Sequence, residues 1–519
     1  MKKTFECGCV IDHLDHESIN FECPATWDIF DRGLTMGVFQ LEKPLGRTWS
    51  KKLAPSSIVD VSDLISLIRP GCLNSGMTEK YRKVKWDEEL PSYLHEDLRS
   101  ILEPTNSCLV YQEQCMEISR KLAGFSLQEA DVLRKAIGKK KDKLMQSLKS
   151  KFIDGCVGNG HEKEVAETIF GWIEESAEYS FNKSHGLSYA YLSYATAYYK
   201  THFTKQFFQA LLEFTQYEQK PREQIKLIET EAKLWNIGII APHIDRGNWN
   251  FEIDDNGNIE FGLGHIKGMT KKSEGTIKHF VGLANMEEFM RQLAKYGVTK
   301  EDGEHNLTKT EVEALIKCGA LDNYDDGLTR NEKLKLFNLY RILNDGEKAN
   351  YAKYDGRLIK FLKRTIKDYD KDGKRKRRIP TIKNAMLKYD SAPSACLPKQ
   401  IIKYEEDLIG FTPSGTLADY NKNDKFTYHC HCIDLPKLMD KTPVILKVVL
   451  KDYKKYTSKK NGSEMVFMTL SDSSYTLDSC VMFSKQMDEY YDSLEKGQVL
   501  LVKGKKSRTS MIVEKLTFL

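Results

Sequence analysis

The stretch Gly124-Phe125-Ser126-Leu127-Gln128-Glu129-Ala130-Asp131-Val132-Leu133-Arg134-Lys135-Ala136-Ile137-Gly138-Lys139-Lys140-Lys141 reads as the junction of two helices. Just before it, Tyr111, Cys115, Ile118 and Leu122 recur at i, i+4, i+7 and i+11, the spacing of one apolar helix face. Gly124 supplies the left-handed residue that ends that helix. Ser126 and Glu129 then make the S-x-x-E pattern of a capping box, in which the hydroxyl accepts a backbone amide proton and the carboxylate answers it. This start predicts a helix over 127–137 with Ala130, Leu133 and Ile137 inward. Arg134, Lys135 and Lys139, Lys140 and Lys141 are left for solvent or for an anion.

Outward from this junction the pattern is helical from about residue 20 to 215, with loops at Arg69-Pro70-Gly71 and Glu103-Pro104-Thr105-Asn106. From about 225 to 345 short helical segments alternate with glycine turns, among them Leu263-Gly264-His265-Ile266-Lys267-Gly268-Met269-Thr270. Residues 345–400 are charged and weakly periodic, with Lys374-Arg375-Lys376-Arg377-Arg378 just after Asp372-Gly373, which predicts a tether or an insertion. From 441 the period changes to two. Pro443–Leu450, Met465–Leu470, Asp478–Phe483 and Val499–Val502 read as strands, with Asn461-Gly462 as a hairpin turn. The expected fold is multidomain and mainly α, with a C-terminal all-β, five-stranded barrel of the OB type.

Composition bounds the function. A chain of 519 residues with 40% apolar content can build several cores, roughly three or four domains by length. With 79 Lys and Arg against 74 Asp and Glu the net charge is only +5, so any nucleic-acid contact must come from local charge. The opening Met1-Lys2-Lys3-Thr4-Phe5-Glu6 lacks a signal-peptide core, and no apolar run is long enough to span a bilayer, so a cytoplasmic protein without a membrane partner is expected. Twelve cysteines scattered through a long chain fit reduced thiols. Cys7-Gly8-Cys9 with Cys23, and His429-Cys430-His431-Cys432, offer soft metal ligands, but neither has C-x2-C spacing, and packed or exposed thiols are the plainer reading.

Gly37-Val38-Phe39-Gln40-Leu41-Glu42, Arg69-Pro70-Gly71, Tyr111-Gln112-Glu113-Gln114, the stretch from Gly124 to Lys140, and Phe181-Asn182-Lys183-Ser184-His185 occur in that order. This ordered set resembles the fingers of a bacterial C-family replicative DNA polymerase, the DNA polymerase III α subunit. The resemblance extends more weakly through Gly264 to Gly319-Ala320, as a helix-hairpin-helix region, and through the C-terminal barrel. It implies a segment over 1–60 at the palm-fingers junction, helical fingers over 61–225, duplex binding over 226–345, a charged connector over 346–440 and an OB barrel over 441–519.

The resemblance also implies roles. A deoxynucleoside triphosphate would meet the fingers helix through Arg134 and Lys135, the guanidinium offering a two-point fork and the ammonium a compact charge. Asn182, Lys183 and His185 would present donors near the nucleotide, with Ser184 capping the helix that follows. Arg69 would meet phosphate or brace a palm partner, and Lys139, Lys140 and Lys141 would meet a DNA backbone or simply be solvated. Gln40 and Glu42 are as readily packed as functional. Lys267, Lys271 and Lys272 would grip duplex phosphates without reading sequence, although Thr270 stands where the family has a second glycine. Tyr453 and Tyr456, with neighbouring lysines, would offer stacking faces to a single strand. Tyr189, Tyr194, Tyr198 and Tyr199 are expected mainly in the core.

The family's three palm aspartates have no counterpart. Asp254-Asp255 sits beside Asn256-Gly257 in a turn, and neither Asp245 nor Asp434 has suitable spacing. The expectation is therefore a naturally divided polymerase of a phage-encoded kind, inactive alone, with catalytic Mg²⁺ held by a partner palm chain; a truncated longer chain is the alternative. Expected partners are primer-template DNA, deoxynucleotides and the palm-bearing chain. A sliding clamp is left open, because Gln400-Ile401-Ile402 is a poor clamp peptide. The competing reading is a non-catalytic DNA-binding replication accessory.

Overall fold

The computed structural model describes residues 3–11, 19–139, 142–176, 179–298, 306–324, 326–373, 375–421, 428–458 and 462–519. The chain divides into two compact units, Met1–Phe207 and Phe208–Leu519. Among the described residues no helix is long and apolar enough to cross a membrane.

The first unit is helical. The expected face forms: Cys115, Ile118 and Leu122 on helix α1 (Gln112–Ala123) are buried, as is Tyr111 at its start, and Gly124 ends it at φ 68°. The capping box opens helix α2 (Leu127–Lys139): the Glu129 amide donates to the Ser126 hydroxyl at 3.3 Å, and the Ser126 amide donates to the Glu129 carboxylate at 2.9 Å. Lys151 also bonds this carboxylate and, with Ser126, holds Glu129 down to about 2. Ala130 and Leu133 point into a core shared with Phe152, Ile169 and Phe170 of the next two helices; the side chain of Ile137 falls outside the described residues. The backbone of the helix Asp142–Gly158 comes so close to α1 that a Cβ on Gly155 would run into the Ala123 carbonyl.

Helix α3 (Lys183–His202) lies on the helix Ile58–Leu67, where a Cβ on Gly186 would stand 2.6 Å from the Ser62 hydroxyl. Tyr194 and Tyr198 are fully buried, and Tyr189 and Tyr199 half-buried, in keeping with the expected packing role.

In the second unit, three two-residue strands (Ile239–Ile240, Glu252–Ile253, Ile259–Glu260) form a small sheet. Short turns over Leu263–His265 and Lys271–Ser273 follow, then helix α4 (Lys309–Lys317), opened by a Thr308–Glu311 capping box. The stretch expected as a charged connector is helical: Asp345–Ala352, Leu358–Asp372, Arg378–Ser391 and Pro398–Ile409. Leu358, Phe361, Leu362 and Thr365 bury one face, a 3.6-residue stripe that the surrounding charges obscure in sequence. Arg378, the last residue of the basic run, pairs at 2.6 Å with buried Glu347.

The C-terminal strands β1 (Pro443–Thr457), β2 (Glu464–Ser471), β3 (Thr476–Phe483), β4 (Val499–Ser507) and β5 (Ser510–Phe518) close a barrel. Around it the order is β1-β2-β3-β5-β4, with β3 and β5 parallel and every other pair antiparallel. The helix Ser484–Tyr490 joins β3 to β4, and Val444, Leu446, Val448 and Leu450 alternate into the core. This is an OB barrel. Of its hairpin turn Asn461-Gly462, Asn461 lies outside the described residues.

Candidate functional site

The loop before α3 is built by a carboxylate that the sequence reading left without a role. The Asn182 side-chain oxygen accepts from the His185 amide at 2.9 Å, which makes Asn182 the helix cap. Its Nδ2 donates to Glu113 Oε1 at 2.8 Å, while the Lys183 amide donates to Glu113 Oε2 at 2.9 Å. Ser184, expected as the cap, is exposed, because Asn182 already reaches the third amide of the helix and Glu113 fixes it there. The Asn182 donor is likewise spent inside the fold, leaving Lys183 and His185 as the side chains that project.

Phe181 is tied to the start of α1 by a parallel bridge to Tyr111, the Gln112 amide donating to the Phe181 carbonyl at 2.9 Å. The exposed Arg69 guanidinium lies over the Phe181 ring at 3.8 Å, and Lys183 Nζ stands 5.7 Å from the Tyr111 ring. His185 packs between Phe181 and Tyr189, with centroids at 5.3 and 4.0 Å. Beneath them lies Asp63, only 1% exposed, accepting from the Tyr111 hydroxyl at 2.5 Å and the Tyr81 hydroxyl at 2.7 Å. Burial pushes Asp63 up to about 6, against the two phenols and the nearby Lys183 charge, which pull it down. Arg69, Lys183 and His185 thus share one face over a buried acid.

Arg134 and Lys135 are together on α2, and both answer to Asp131. Arg134 binds its Oδ1 through Nε at 3.0 Å and Nη2 at 2.9 Å, and Lys135 Nζ stands 2.7 Å from its Oδ2. Two cations share one carboxylate, so the face keeps a surplus positive charge. Lys139, Lys140 and Lys141 lie outside the residues whose side chains are described.

The Gly37–Glu42 run is seated on α3: the Phe39 amide donates to the Thr196 hydroxyl at 3.0 Å, and the Ser193 hydroxyl to the Phe39 carbonyl at 2.8 Å. Buried Lys200 donates to the Leu34 and Met36 carbonyls, each at 2.8 Å, and so fixes the approach to this run. Exposed Gln40 takes φ 64°, a conformation uncommon for a side-chain-bearing residue. Lys200 stands three residues after buried Ala197 and seven after buried Ser193, a helical spacing that places it on the packed face and marks it in the sequence.

In the second unit Gly268 takes φ 104° while Thr270 is extended at φ −125°, so the β-branched residue costs nothing where a glycine was expected. Both the Thr270 amide and hydroxyl donate to Glu311 at the start of α4, at 3.0 and 2.9 Å. Lys267, Lys271 and Lys272 are all exposed, Lys271 beside Glu274 at 2.8 Å. In the barrel Tyr456 is 45% exposed, edge-on to Phe467. Tyr453 is half-buried, its hydroxyl donating to the Leu494 carbonyl at 2.8 Å, so only part of its ring is offered to a ligand.

The catalytic Mg²⁺ pair that nucleotidyl transfer needs finds no fit among the described residues. Asp254 is spent accepting from the Asn258 amide at 2.7 Å in a turn completed by Gly257 at φ 83°. Asp245 accepts from the Gly282 amide and Asp434 pairs with Lys437. Among the described residues, the groups of three or more side chains close enough to share an ion are Cys7, Cys9, Cys23 and His202, and His95, Asp97 and His161; neither contains two carboxylates.

Comparison with known families agrees with this architecture. Residues 7–160 match the bacterial DNA polymerase III alpha subunit finger domain, 236–332 a helix-hairpin-helix motif and 444–517 an OB-fold nucleic acid binding domain. The DNA polymerase III subunit alpha of Aquifex aeolicus (strain VF5) is 33% identical over 482 residues, covering 93% of this chain and 37% of that protein. That of Escherichia coli (strain K12) is 30% identical over 508 residues, covering 95% and 41%, and that of Pasteurella multocida (strain Pm70) 29% identical over 507 residues, covering 95% and 41%. The chain spans about two fifths of the length of these curated relatives.

Proposed function

We propose that this chain, which matches the DNA polymerase III alpha subunit finger domain, a helix-hairpin-helix motif and an OB-fold nucleic acid binding domain, is the substrate-gripping part of a DNA-directed DNA polymerase of that family. The observation that carries this reading is the order of those three domains together with alignment along 93% of the chain. In the proposed reaction a primer 3′-hydroxyl attacks the α-phosphorus of a deoxynucleotide in line, and pyrophosphate leaves. Arg134, Lys135 and Lys183 offset triphosphate charge, with Arg69 and His185 beside Lys183; Asn182 shapes the loop, and the exposed Ser184 hydroxyl is left for the nucleotide. Lys139, Lys140 and Lys141 belong to the same proposal as backbone contacts. Lys267, Lys271 and Lys272 hold duplex phosphates, and Tyr456, with the exposed part of Tyr453, stacks on single-stranded template.

Mg²⁺ enters this reading on palm carboxylates supplied from outside these 519 residues. The remaining proposed partners are primer-template DNA and deoxynucleotides, and the setting is the cytoplasm of a bacterial cell. Primer extension by the chain mixed with a palm-bearing polymerase chain tests the proposal. Extension that depends on both chains and falls with Arg134→Ala supports it. Salt-sensitive DNA binding that deoxynucleotides leave unchanged, with no extension by the mixture, would favour a non-catalytic accessory instead.

A further inference from the structure

Three sulfurs and one imidazole nitrogen converge at a place that the polymerase reading does not use. Cys7 Sγ lies 3.7 Å from Cys23 Sγ, and His202 Nε2 lies 3.6 Å from Cys23 Sγ and 4.0 Å from Cys7 Sγ. With Cys9, all four ligand atoms fall within 4.8 Å of one another. A tetrahedral zinc ion with Zn–S near 2.3 Å and Zn–N near 2.05 Å has edges of about 3.8 Å between sulfurs and about 3.6 Å from sulfur to nitrogen. The Cys7–Cys23 and Cys23–His202 separations match those edges, and the Cys7–His202 separation exceeds its edge by about 0.4 Å. They are far too long for a disulfide, whose sulfurs stand about 2.05 Å apart.

We propose that Cys7, Cys9, Cys23 and His202 hold a structural zinc ion. Four protein ligands close the coordination sphere, so no position is left for a substrate. Loading releases the three thiol protons and leaves a site of net charge −1, which the surroundings are built to accept. Asn20 Nδ2 approaches Cys9 Sγ at 3.5 Å, and the fully buried Tyr198 hydroxyl lies beside Cys9 without a hydrogen-bond partner within normal reach. Phe5 and Tyr198 hold the His202 ring from two sides, each at a centroid distance of 4.4 Å.

Other buried cysteines look different. Cys72, Cys115 and Cys318 turn to nearby backbone carbonyls, Cys115 also to the Ser176 hydroxyl, and none of them meets a second thiol or an imidazole in these bonds, as packed thiols do. The backbone around the cluster also needs a fastener. Cys7 and Cys9 sit on a hairpin whose strands, Lys3–Thr4 and Val10–Ile11, are two residues each, turned by Gly8 at φ 82°. So short a hairpin is not stable by itself. Cys23 is the cap residue of the helix Pro24–Arg32 and gives that helix no side-chain bond, and His202 closes α3. The ion would staple the hairpin and this helix to the end of α3 opposite the Asn182 loop.

The test is the metal content of the full chain, purified untagged and reduced without chelator. About one zinc per chain is expected, falling below about a tenth in Cys9→Ser and His202→Asn and unchanged in Cys396→Ser. If the cluster variants do not fold, the wild-type chain still decides. Cobalt(II) added to the zinc-free chain should give the intense visible bands and sulfur charge-transfer absorption of a tetrahedral site of three thiolates and one imidazole, and chelation should lower the melting temperature. A reduced, folded chain that carries no zinc and gives only weak octahedral cobalt bands would overturn the proposal, as would a Cys7–Cys23 disulfide in the native chain.

Discussion

Replacing Asn182 by Asp separates the cap from the clamp. Asp is as good a cap as Asn, so the bond from the His185 amide survives. What changes is the contact with Glu113, where a donor at 2.8 Å becomes a second carboxylate. Two like charges about 4 Å apart repel by roughly 1 kcal/mol in water and about 4 kcal/mol at an effective dielectric of 20. The site is part-buried, and a charge-assisted hydrogen bond worth about 1.5–3 kcal/mol is also lost. Rotation or protonation relieves some of this, so a net cost of about 2 kcal/mol follows. Glu113→Gln should rescue it: the Gln oxygen can accept from the Lys183 amide while its nitrogen donates to the introduced carboxylate. In amide exchange, Lys183 and His185 should open about 30-fold more readily in Asn182→Asp and return most of the way in the double variant. Equal protection in the wild type and Asn182→Asp, or no coupling to Glu113→Gln, would refute the clamp.

Other consequences follow from the same geometry. Asp63 is raised in the fold to about 6, so its proton is bound more tightly folded than unfolded, and stability is greatest below its ordinary pKa of 3.8. Between those values the Asp63 contribution should fall by about 3 kcal/mol as pH rises and then level off, read as the pH dependence of the urea-midpoint difference between the wild type and Asp63→Asn. Lys200→Met should cost about 2–4 kcal/mol by stranding the Leu34 and Met36 carbonyls, read as a lower urea midpoint of the first unit. Gly155→Ala should destabilise the same unit by about 1–3 kcal/mol, since a Cβ meets the Ala123 carbonyl, and an unchanged midpoint would contradict that close approach. Arg134→Ala should leave stability within about 0.5 kcal/mol, because its partner Asp131 is a surface group, while raising the deoxynucleotide concentration needed for extension.

The parts legible in sequence were those encoded within a turn or two of chain. The Ser126–Glu129 box, the Tyr111-to-Leu122 face and the alternation of the barrel strands each put cause and effect within a few residues. The choice between Asn182 and Ser184 as cap was not local: both are good caps, and Glu113, far away in sequence, decides. The Cys7, Cys9 and Cys23 thiols lacked a familiar spacing because their fourth companion, His202, arrives from the far end of α3. The helices from 345 to 409 hid because lysines and aspartates crowd the stripe of Leu358, Phe361 and Leu362. Strand β5 was implied only by the need to close the barrel. The spent donors of Asn182 and the shared carboxylate of Arg134 and Lys135 depend on side-chain geometry that spacing does not carry.

The most direct measurement of the central claim is templated primer extension by the purified chain, alone and with a palm-bearing polymerase chain. Extension only in the mixture, saturable in deoxynucleotide and weakened by Arg134→Ala and Lys183→Ala, is the predicted result. Extension by the chain alone, from material free of other polymerases, would contradict it, as would a mixture whose rate ignores both substitutions.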